Sequence, residues 1–416
     1  MLRRPLEAAV SSLVLGRVTS DNSLVPYGFD PRDTAEGLFG VELRVRRIEA
    51  GFSLRRLAPL VLVSHDLLAR IEKAQRRPQP DLVDRLDAAL GADGELCRLA
   101  APFTDGQARR SRVVVLEPEA AVSTVRSLIA QVRAADHTMA AAHLEEISAY
   151  TAAAQGIISQ LGASQRRLLY RLIAEAHQLS GWVLFDRGSL ALAEKAFAAS
   201  RVAAEQAGAW DLIAYIGGPN SAFLSTWSGE PARGAERAYG ALAWARRSGN
   251  RRLSAFVLTM SARSHARLGE PQLCTRMLLE AEWELSRHRP DQPDPSWLEV
   301  FDAAALAGHR GSCFLDLGHH DRAIDALQEQ ASASDERFVR NRTIWLLEQA
   351  EAQLRLDQRE AAAHTVNQAM NQVGASAISP RVGRMFRSTE LRMRACADPA
   401  VRDVAERLRE LNAASL

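Results

Sequence analysis

The stretch "FLDLGHHDRAIDAL", from Phe314 to Leu327, contains the pattern that decides the fold. Gly318 separates two runs of helix-forming residues, and glycine readily takes the positive φ that ends a helix. A small residue, Ala323, follows Gly318 by five positions, and another, Gly311, precedes it by seven. Small side chains at these paired offsets let two antiparallel helices approach closely. The stretch therefore predicts a helical hairpin.

The same hairpin pattern recurs along the chain. The turns align at intervals of 41, 40, 49 and 40 residues, at Gly188, Gly229, Gly269, Gly318 and Gln358. The small residue after the turn is Ala193, Gly234, Cys274, Ala323 or Ala363, and the one before it is Gly181, Ala222, Ala262 or Gly311; the fifth repeat departs with Glu351. The loop "PDQPDPSW" at 290–297 accounts for the longest interval. Since one hairpin cannot bury its apolar face alone, the copies are expected to stack into a solenoid.

The rest of the chain divides into four predicted regions. Residues 1–37 lack periodicity and are expected to form a flexible arm, 38–91 form a small helical domain, 92–117 form a linker, and 118–416 form the repeat domain. Val113–Leu116 could be a short strand, but no partner strand is evident. The predicted fold class is all-α.

The small domain is read as four helices that carry a local positive charge. They are expected over Gly40–Ala50, with Val41, Val45 and Ile48 on one face, and over Leu54–Val61, His65–Lys73 and Asp81–Leu90. Ser53 and Ser64 are candidate N-caps. Between Val41 and Arg85 ten Lys and Arg residues face six acidic ones, a balance of +4 in a chain whose formal net charge is only +2. Any attraction to nucleic acid is therefore local.

Both regions resemble known families. The spacing in "ARLGEPQLC" and "FLDLGHHDRAIDAL" resembles the tetratricopeptide (TPR) repeat, over roughly residues 119–395. The strings "LRVRRIEAGFSLRRLA" and "VSHDLLARIEKAQRRPQPDLVDRLDAALG" resemble the Cro/repressor-type (XRE-family) helix-turn-helix. Together they look like actinobacterial regulators that fuse such a domain to a TPR-like sensor and, more distantly, like peptide-responsive TPR regulators of Gram-positive bacteria. The resemblance implies a dimeric transcription regulator whose solenoid binds a peptide or a small-molecule effector.

Three positions depart from the helix-turn-helix pattern. Leu54 stands where the family often has Gln, and Pro59 falls inside the second helix. Leu62 occupies the turn position that usually holds Gly because φ is positive there, at a cost of about 1 kcal/mol for a non-glycine residue. Glu72 is expected to pair with Arg46 or Arg47 of the first helix.

The candidate DNA-binding residues follow from placing the third helix in the major groove of double-stranded DNA. Ser64 and the helix N-terminus can hold a phosphate. Arg70 can contact guanine and Asp66 cytosine, while Leu68 and Ile71 face the core. The complete candidate set is Arg55, Arg56, Ser64, His65, Asp66, Arg70, Lys73, Arg76 and Arg77. A solvated basic face on a vestigial domain is the plain alternative.

The candidate ligand groove is carried over from TPR geometry, in which the first helix of each pair lines the concave face. Aromatic rings beside amides and arginines suit a peptide or an amphiphilic small molecule. The positions are Gln178, Trp182, Asn220, Phe223, Trp227, Met260, Arg263, Arg267, His309, Ser312, Glu348 and Gln349. Gly217, Gly218 and Pro219 are expected to unwind or kink the start of their helix. Packing between helices is the alternative for each of these residues.

Other classes of protein have little support in the sequence. Four scattered cysteines lack a C-x-x-C pair, which fits a reducing cytosol. No membrane span is expected, and the N-terminus is read as a tail or short helix rather than a signal peptide. We find no motif that predicts catalytic residues or a cofactor. His309 and Cys313 are one turn apart, but a metal site needs further ligands, so none is predicted.

The sequence thus predicts a cytoplasmic, sequence-specific DNA-binding transcription regulator. Two alternatives stay open. One is a TPR interaction protein with a silent helix-turn-helix. The other is an enzyme or ligand carrier recruited from this scaffold, with the solenoid groove as its pocket.

Overall fold

The structure is a computed structural model in which the described residues form helices. They are residues 35–92, 94, 96, 97, 99, 100, 114–137, 144–289, 293–373, 378–396 and 398–414. The predicted arm lies outside this set up to residue 34, as does the N-terminal stretch read as a tail. No β-strand occurs among the described residues, and the possible strand Val113–Leu116 is not formed over 114–116.

The helix-turn-helix domain consists of four short helices around a core of its own. They are α1 (Ala35–Glu49), α2 (Leu54–Leu60), α3 (His65–Glu72) and α4 (Pro80–Leu90). Ser53 and Ser64 are the N-caps of α2 and α3, as predicted, and Gly91 ends α4 in the left-handed conformation. The core extends past Gly91, because Leu96 and Ala100 in the predicted linker are buried in it.

The face of α1 that carries Val45 and Ile48 is not the face that packs into the core. Val45 and Ile48 are 42% and 57% exposed, whereas Phe39 and Leu43 are fully buried. The buried positions recur every four residues, so the apolar stripe of α1 begins earlier than the sequence pattern suggested. Two valines and an isoleucine at helical spacing marked the opposite, solvent-facing side.

The body of the protein is built from successive helix pairs. In the described residues we count seven pairs, the first two being α5 (Ala121–His137) with α6 (Leu144–Ile157) and α7 (Ala163–Asp186) with α8 (Leu190–Ala207). The third pairs α9, made of Trp210–Tyr215, Ile216–Ala222 and Phe223–Trp227, with α10 (Pro231–Ser248). The others are α11 (Arg251–Arg267) with α12 (Pro271–Ser286), α13 (Ala303–Asp316) with α14 (His320–Ala333), α15 (Val339–Arg355) with α16 (Arg359–Val373), and α17 (Pro380–Arg394) with α18 (Pro399–Ala414).

The turns of the repeat follow the predicted pattern with one shift of register. Gly188, Gly229, Gly269 and Gly318 all have positive φ, as a turn after a helix requires. In the fifth repeat the left-handed residue is Asp357, with φ 59°, and not the aligned Gln358. The small positions of that repeat then become Ala350 and Ala362, both fully buried. The apparent departure at Glu351 was an alignment error of one residue.

Close helix approach at the small positions is visible in the structure. A Cβ added at Gly181 would lie 2.5 Å from the ring of Phe197, and one at Gly311 would lie 2.5 Å from Leu327 Cγ. These distances leave no room for a methyl group. The small residues therefore set the spacing of the helices within pairs.

The Gly-Gly-Pro segment widens its helix and does not unwind its start. α9 begins earlier, at Trp210, and Ile216–Ala222 forms a π-helical stretch around Pro219. Pro219 has no N–H to donate, and the wider turn rearranges the neighbouring hydrogen bonds. Arg237 Nη1 donates a hydrogen bond to the carbonyl oxygen of Ser221, at 3.1 Å. Such π-turns are frequent at functional sites.

The described helices were also compared with the length and apolarity that a bilayer demands. None of them meets both requirements for crossing a membrane.

Candidate functional sites

The candidate DNA-binding surface centres on α3, whose N-terminus is capped. Ser64 has extended φ and ψ of −77° and 150°, and its hydroxyl accepts a hydrogen bond from Leu67 N at 3.2 Å. Leu68 and Ile71 are buried in the domain core, so the opposite side of the short helix faces solvent. This is the arrangement that a helix needs in order to present side chains to a groove.

The structure places all nine predicted DNA-binding residues at the surface. Arg70, Lys73 and Arg76 are exposed, as are Arg55, Arg56, Ser64, His65, Asp66 and Arg77. His65 Nε2 lies 3.4 Å from Asp66 Oδ1. Arg77 Nε donates to Glu36 Oε1 at 2.7 Å, so its charge is partly engaged within the domain.

An ion pair attaches α3 to α1. Arg47 Nη2 donates to Glu72 Oε2 at 3.0 Å, and Arg47 Nη1 donates to the carbonyl of Phe52 at 2.8 Å. Glu72 was expected to pair with Arg46 or Arg47, and the partner is Arg47. The carboxylate of Glu72 therefore has a structural role, since it holds α3 against α1.

The turn before α3 carries the expected strain. Leu62 has φ 55°, the left-handed conformation that favours glycine, and its side chain is 76% exposed. Its neighbour Leu60 is 56% exposed. Pro59 sits inside the seven-residue α2, and Leu54 begins that helix. The helix-turn-helix geometry is thus formed despite all three departures.

Among the described residues, a cavity of about 90 Å³ lies between the first helices of the pairs. Every first helix contributes a wall residue: Asp136 from α5, Trp182 from α7, Asn220 from α9, Met260 from α11, His309 from α13, Trp345 from α15 and Arg381 from α17. A superhelix whose concave face is lined by first helices produces such a cavity.

Ten of the twelve predicted groove residues line this cavity, namely Gln178, Trp182, Asn220, Phe223, Trp227, Met260, Arg263, His309, Ser312 and Glu348. Arg267 and Gln349 are not among the lining residues. Arg267 Nε instead lies 3.0 Å from Asp316 Oδ2, and its guanidinium stacks over Trp227. Gln349 is buried.

Aromatic rings form much of the cavity wall. Trp182 lies 6.1 Å from Phe223, which lies 5.9 Å from Trp227, measured between ring centroids. On another side His309 packs edge-on against Trp345 at 5.5 Å and lies 6.1 Å from Phe256. Burial lowers the pKa of His309 to about 3, helped by the nearby charge of Arg263. His309 is therefore a neutral ring in this wall.

Sequence reasoning missed a buried charged cluster at the cavity, which we call the arginine–aspartate cluster: Asp136, Asp186, Arg340 and Arg381. Arg340 donates two hydrogen bonds to Asp136, at 2.7 and 2.8 Å. Arg381 Nε lies 3.0 Å from Asp186 Oδ1. Although burial opposes its charge, the two aspartates raise the pKa of Arg340, whereas burial lowers the pKa of Arg381 to about 10.

This cluster closes the superhelix on itself. Asp136 belongs to the first pair and Arg340 to the sixth, while Asp186 belongs to the second pair and Arg381 to the seventh. Arg381 also lies over the rings of Trp182, Phe185 and Trp227, at 5.2 to 5.6 Å. The ends of the repeat array are thus joined through buried ion pairs beside the cavity.

The cavity also holds an arginine whose guanidinium is poorly satisfied. Arg263 is 3% exposed, and its Nε and Nη1 have no hydrogen-bond partner. Its Nη2 lies 3.8 Å from Asp316 Oδ2 and 4.0 Å from Glu348 Oε1, beyond hydrogen-bond distance. Burial raises the pKa of Glu348, although Arg263 and the Ser312 hydroxyl act in the other direction.

Among the described residues, no group of three His, Cys, Asp or Glu side chains is arranged to hold a metal ion. His309 is enclosed by rings, and Cys313 is buried beside Cys274.

The comparisons with known proteins identify the N-terminal domain. Residues 38–100 match the family model of a helix-turn-helix domain. Among solved structures the chain is similar to PlcR of Bacillus thuringiensis, crystallised in complex with the peptide PapR7 and DNA. That match has 13% sequence identity, covers 71% of this chain and 93% of PlcR, and has a TM-score of 0.31. No curated protein matches the chain.

Proposed function

We propose that this chain is a sequence-specific DNA-binding transcription regulator whose helical body binds an effector in its central cavity. The observation that carries the proposal is the capped and exposed α3, with Arg70 on its outer face and the basic residues of the domain around it. Arginine at such a position can make a bidentate contact with guanine. The surrounding Lys and Arg side chains can neutralise phosphates without reading sequence.

The proposal includes a homodimer in the cytoplasm. One small helix-turn-helix domain gives little affinity, and regulators of this kind bind two half-sites through a dimer. Effector binding would change the spacing of the two DNA-binding domains, which requires that the effector prefer one shape of the body over the other. No catalytic step is part of this function.

The test is the fluorescence anisotropy of the purified protein on DNA from its own upstream region, against scrambled DNA, over a series of salt concentrations. We expect preference for the upstream DNA and a steep fall of affinity with salt. Arg70→Ala should weaken specific binding roughly 5- to 100-fold and relax the preference at one base position. Arg167→Ala, an exposed arginine on α7, is the matched control and should have no effect.

One observation favours a second function. Leu60 and Leu62 place exposed apolar side chains immediately before α3, where a DNA-binding surface is usually polar. An interaction protein with a silent helix-turn-helix would show equal, weak binding to both DNAs at every salt concentration. That result, from a folded dimer, would refute the proposed regulator.

A further inference from the structure

Among the arginines that line the cavity, Arg263 is the one that lies farthest from a carboxylate. Arg340 is satisfied by two short bonds to Asp136. Arg263 has buried Nε and Nη1 atoms without partners, and its nearest carboxylates lie 3.8 and 4.0 Å away. A buried donor without a partner is costly, and for a charged group the cost is larger. The N–H groups of such a guanidinium can donate hydrogen bonds to a bound anion.

The hydrogen bonds around Glu348 indicate that it does not neutralise Arg263. The Ser312 hydroxyl lies 3.0 Å from the carbonyl of Gly308 and also contacts Glu348 Oε2. One hydroxyl hydrogen serves both acceptors only as a divided, weaker bond, whereas a protonated Glu348 can donate to Ser312 while Ser312 donates to Gly308. Burial favours the same protonated form.

Asp316 is then the other carboxylate that, among the described residues, lies within 4 Å of these two arginines. Asp316 lies 3.0 Å from Arg267 Nε and 3.8 Å from Arg263 Nη2. With Glu348 protonated, this part of the cavity has one positive charge in excess. An incoming anion would restore neutrality and satisfy the free donors of Arg263.

The rest of the wall and the size of the cavity define the body of the ligand. Phe223, Phe256 and Trp345 present apolar rings, and Met260 adds an apolar side chain. The volume of about 90 Å³ is far below the roughly 300–1,000 Å³ of pockets that hold drug-sized ligands. A short apolar body fits this volume, and the small volume favours it over a peptide chain.

We propose that the cavity binds a small organic carboxylate, with Arg263 holding the carboxylate group and the aromatic wall holding a short apolar body. This inference rests on the proposed function only in naming the ligand an effector. Its binding is measured without DNA, so the two proposals fail separately.

The experiment compares butanoate with butanamide, which has nearly the same shape without the charge. Binding to the full chain is measured by ligand-observed NMR and by the shift of the melting temperature. We expect butanoate to bind at least about 10-fold more tightly than butanamide in the wild type. Equal binding of the two, or no binding of butanoate, would overturn the proposal.

Variants assign the anion to a particular arginine. Arg263→Met should abolish the preference for butanoate without lowering the melting temperature, because Asp316 keeps Arg267 as its partner. Arg263→Lys should keep part of the preference. Arg133→Met is the matched control, since Arg133 also lines the cavity with unpartnered Nε and Nη2 atoms.

Two outcomes would refute the assignment. A preference that survives in Arg263→Met and disappears in Arg133→Met would place the anion at the other arginine. Saturable binding of short peptides with a free C-terminal carboxylate, without binding of butanoate, would exclude the small ligand.

Discussion

Two glycines on α10 allow a direct test of how the helix pairs pack. A Cβ added at Gly234 would lie 2.2 Å from Thr226 Oγ1, 2.8 Å from Ser264 Oγ and 3.0 Å from the carbonyl oxygen of Ala222. Gly240, six residues later on the same helix, has no atom within 4 Å of that position. Gly234→Ala and Gly240→Ala therefore introduce the same methyl group into a closed contact and into open space.

The expected changes in the free energy of unfolding differ in sign between Gly234→Ala and Gly240→Ala. Both variants gain about 1 kcal/mol because alanine is the better helix former. Gly234→Ala also overpacks the contact, at about 1–3 kcal/mol. It displaces Thr226 from its bond with Ser264, now 2.7 Å long, which costs a further ~1 kcal/mol. Gly240→Ala should thus stabilise the body, and Gly234→Ala should destabilise it relative to Gly240→Ala by about 2–4 kcal/mol.

The assay is urea unfolding followed by helical circular dichroism, with the midpoints compared at unchanged slope. The midpoint should rise for Gly240→Ala and fall for Gly234→Ala. A Gly234→Ala protein as stable as Gly240→Ala would refute the claim that small residues five positions after the turn set the helix spacing. Equal destabilisation of both would trace the effect to the helix itself.

Three further outcomes follow from strain and buried charge. Leu62→Gly should stabilise the helix-turn-helix domain by about 0.5–1 kcal/mol, because φ is 55° and the lost side chain is exposed; a lower melting temperature for that domain would contradict this. Arg340→Met should cost about 3 kcal/mol, and the double variant with Asp136→Leu should recover most of it in urea unfolding; no recovery would argue against the ion pair as the cause. The pKa of His309 is about 3 in the folded protein and about 6.5 in the unfolded chain, so the stability that its neutral ring contributes is present above pH 6.5 and is lost as the pH falls toward 3. His309→Phe should therefore lose less of its free energy of unfolding between pH 7 and pH 5 than the wild type loses. An equal loss in both proteins would refute this.

The sequence predicted the hairpins because their turns need a residue with positive φ. Glycine supplies it four times and makes the period visible. In the fifth turn Asp357 takes the same conformation, which Asp tolerates better than most residues. A pattern based on glycine does not detect Asp357, so the fifth turn was aligned at Gln358, one residue too late. The physical requirement, and not the residue type, is what repeats.

The cavity was predictable in part. Its inward positions follow from helical periodicity, which is why ten of twelve expected residues line it. Periodicity gives no information on which distant helices meet. Asp136 and Arg340 are 204 residues apart, and each reads as an ordinary charged residue on its own helix. Periodicity likewise does not show which face of α1 is buried, since Val45 and Ile48 form an apolar stripe that the fold leaves in solvent.

Two of the places where local rules are broken lie at the two proposed sites. Leu62 accepts a left-handed backbone beside α3, and Arg263 is buried without hydrogen-bond partners in the cavity. Glycine would take the backbone conformation of Leu62 without strain, and methionine would fill the place of Arg263 without an unpartnered charge. If replacing each residue raises the free energy of unfolding and weakens binding at its own site, the unfavourable conformation or burial of that residue serves binding.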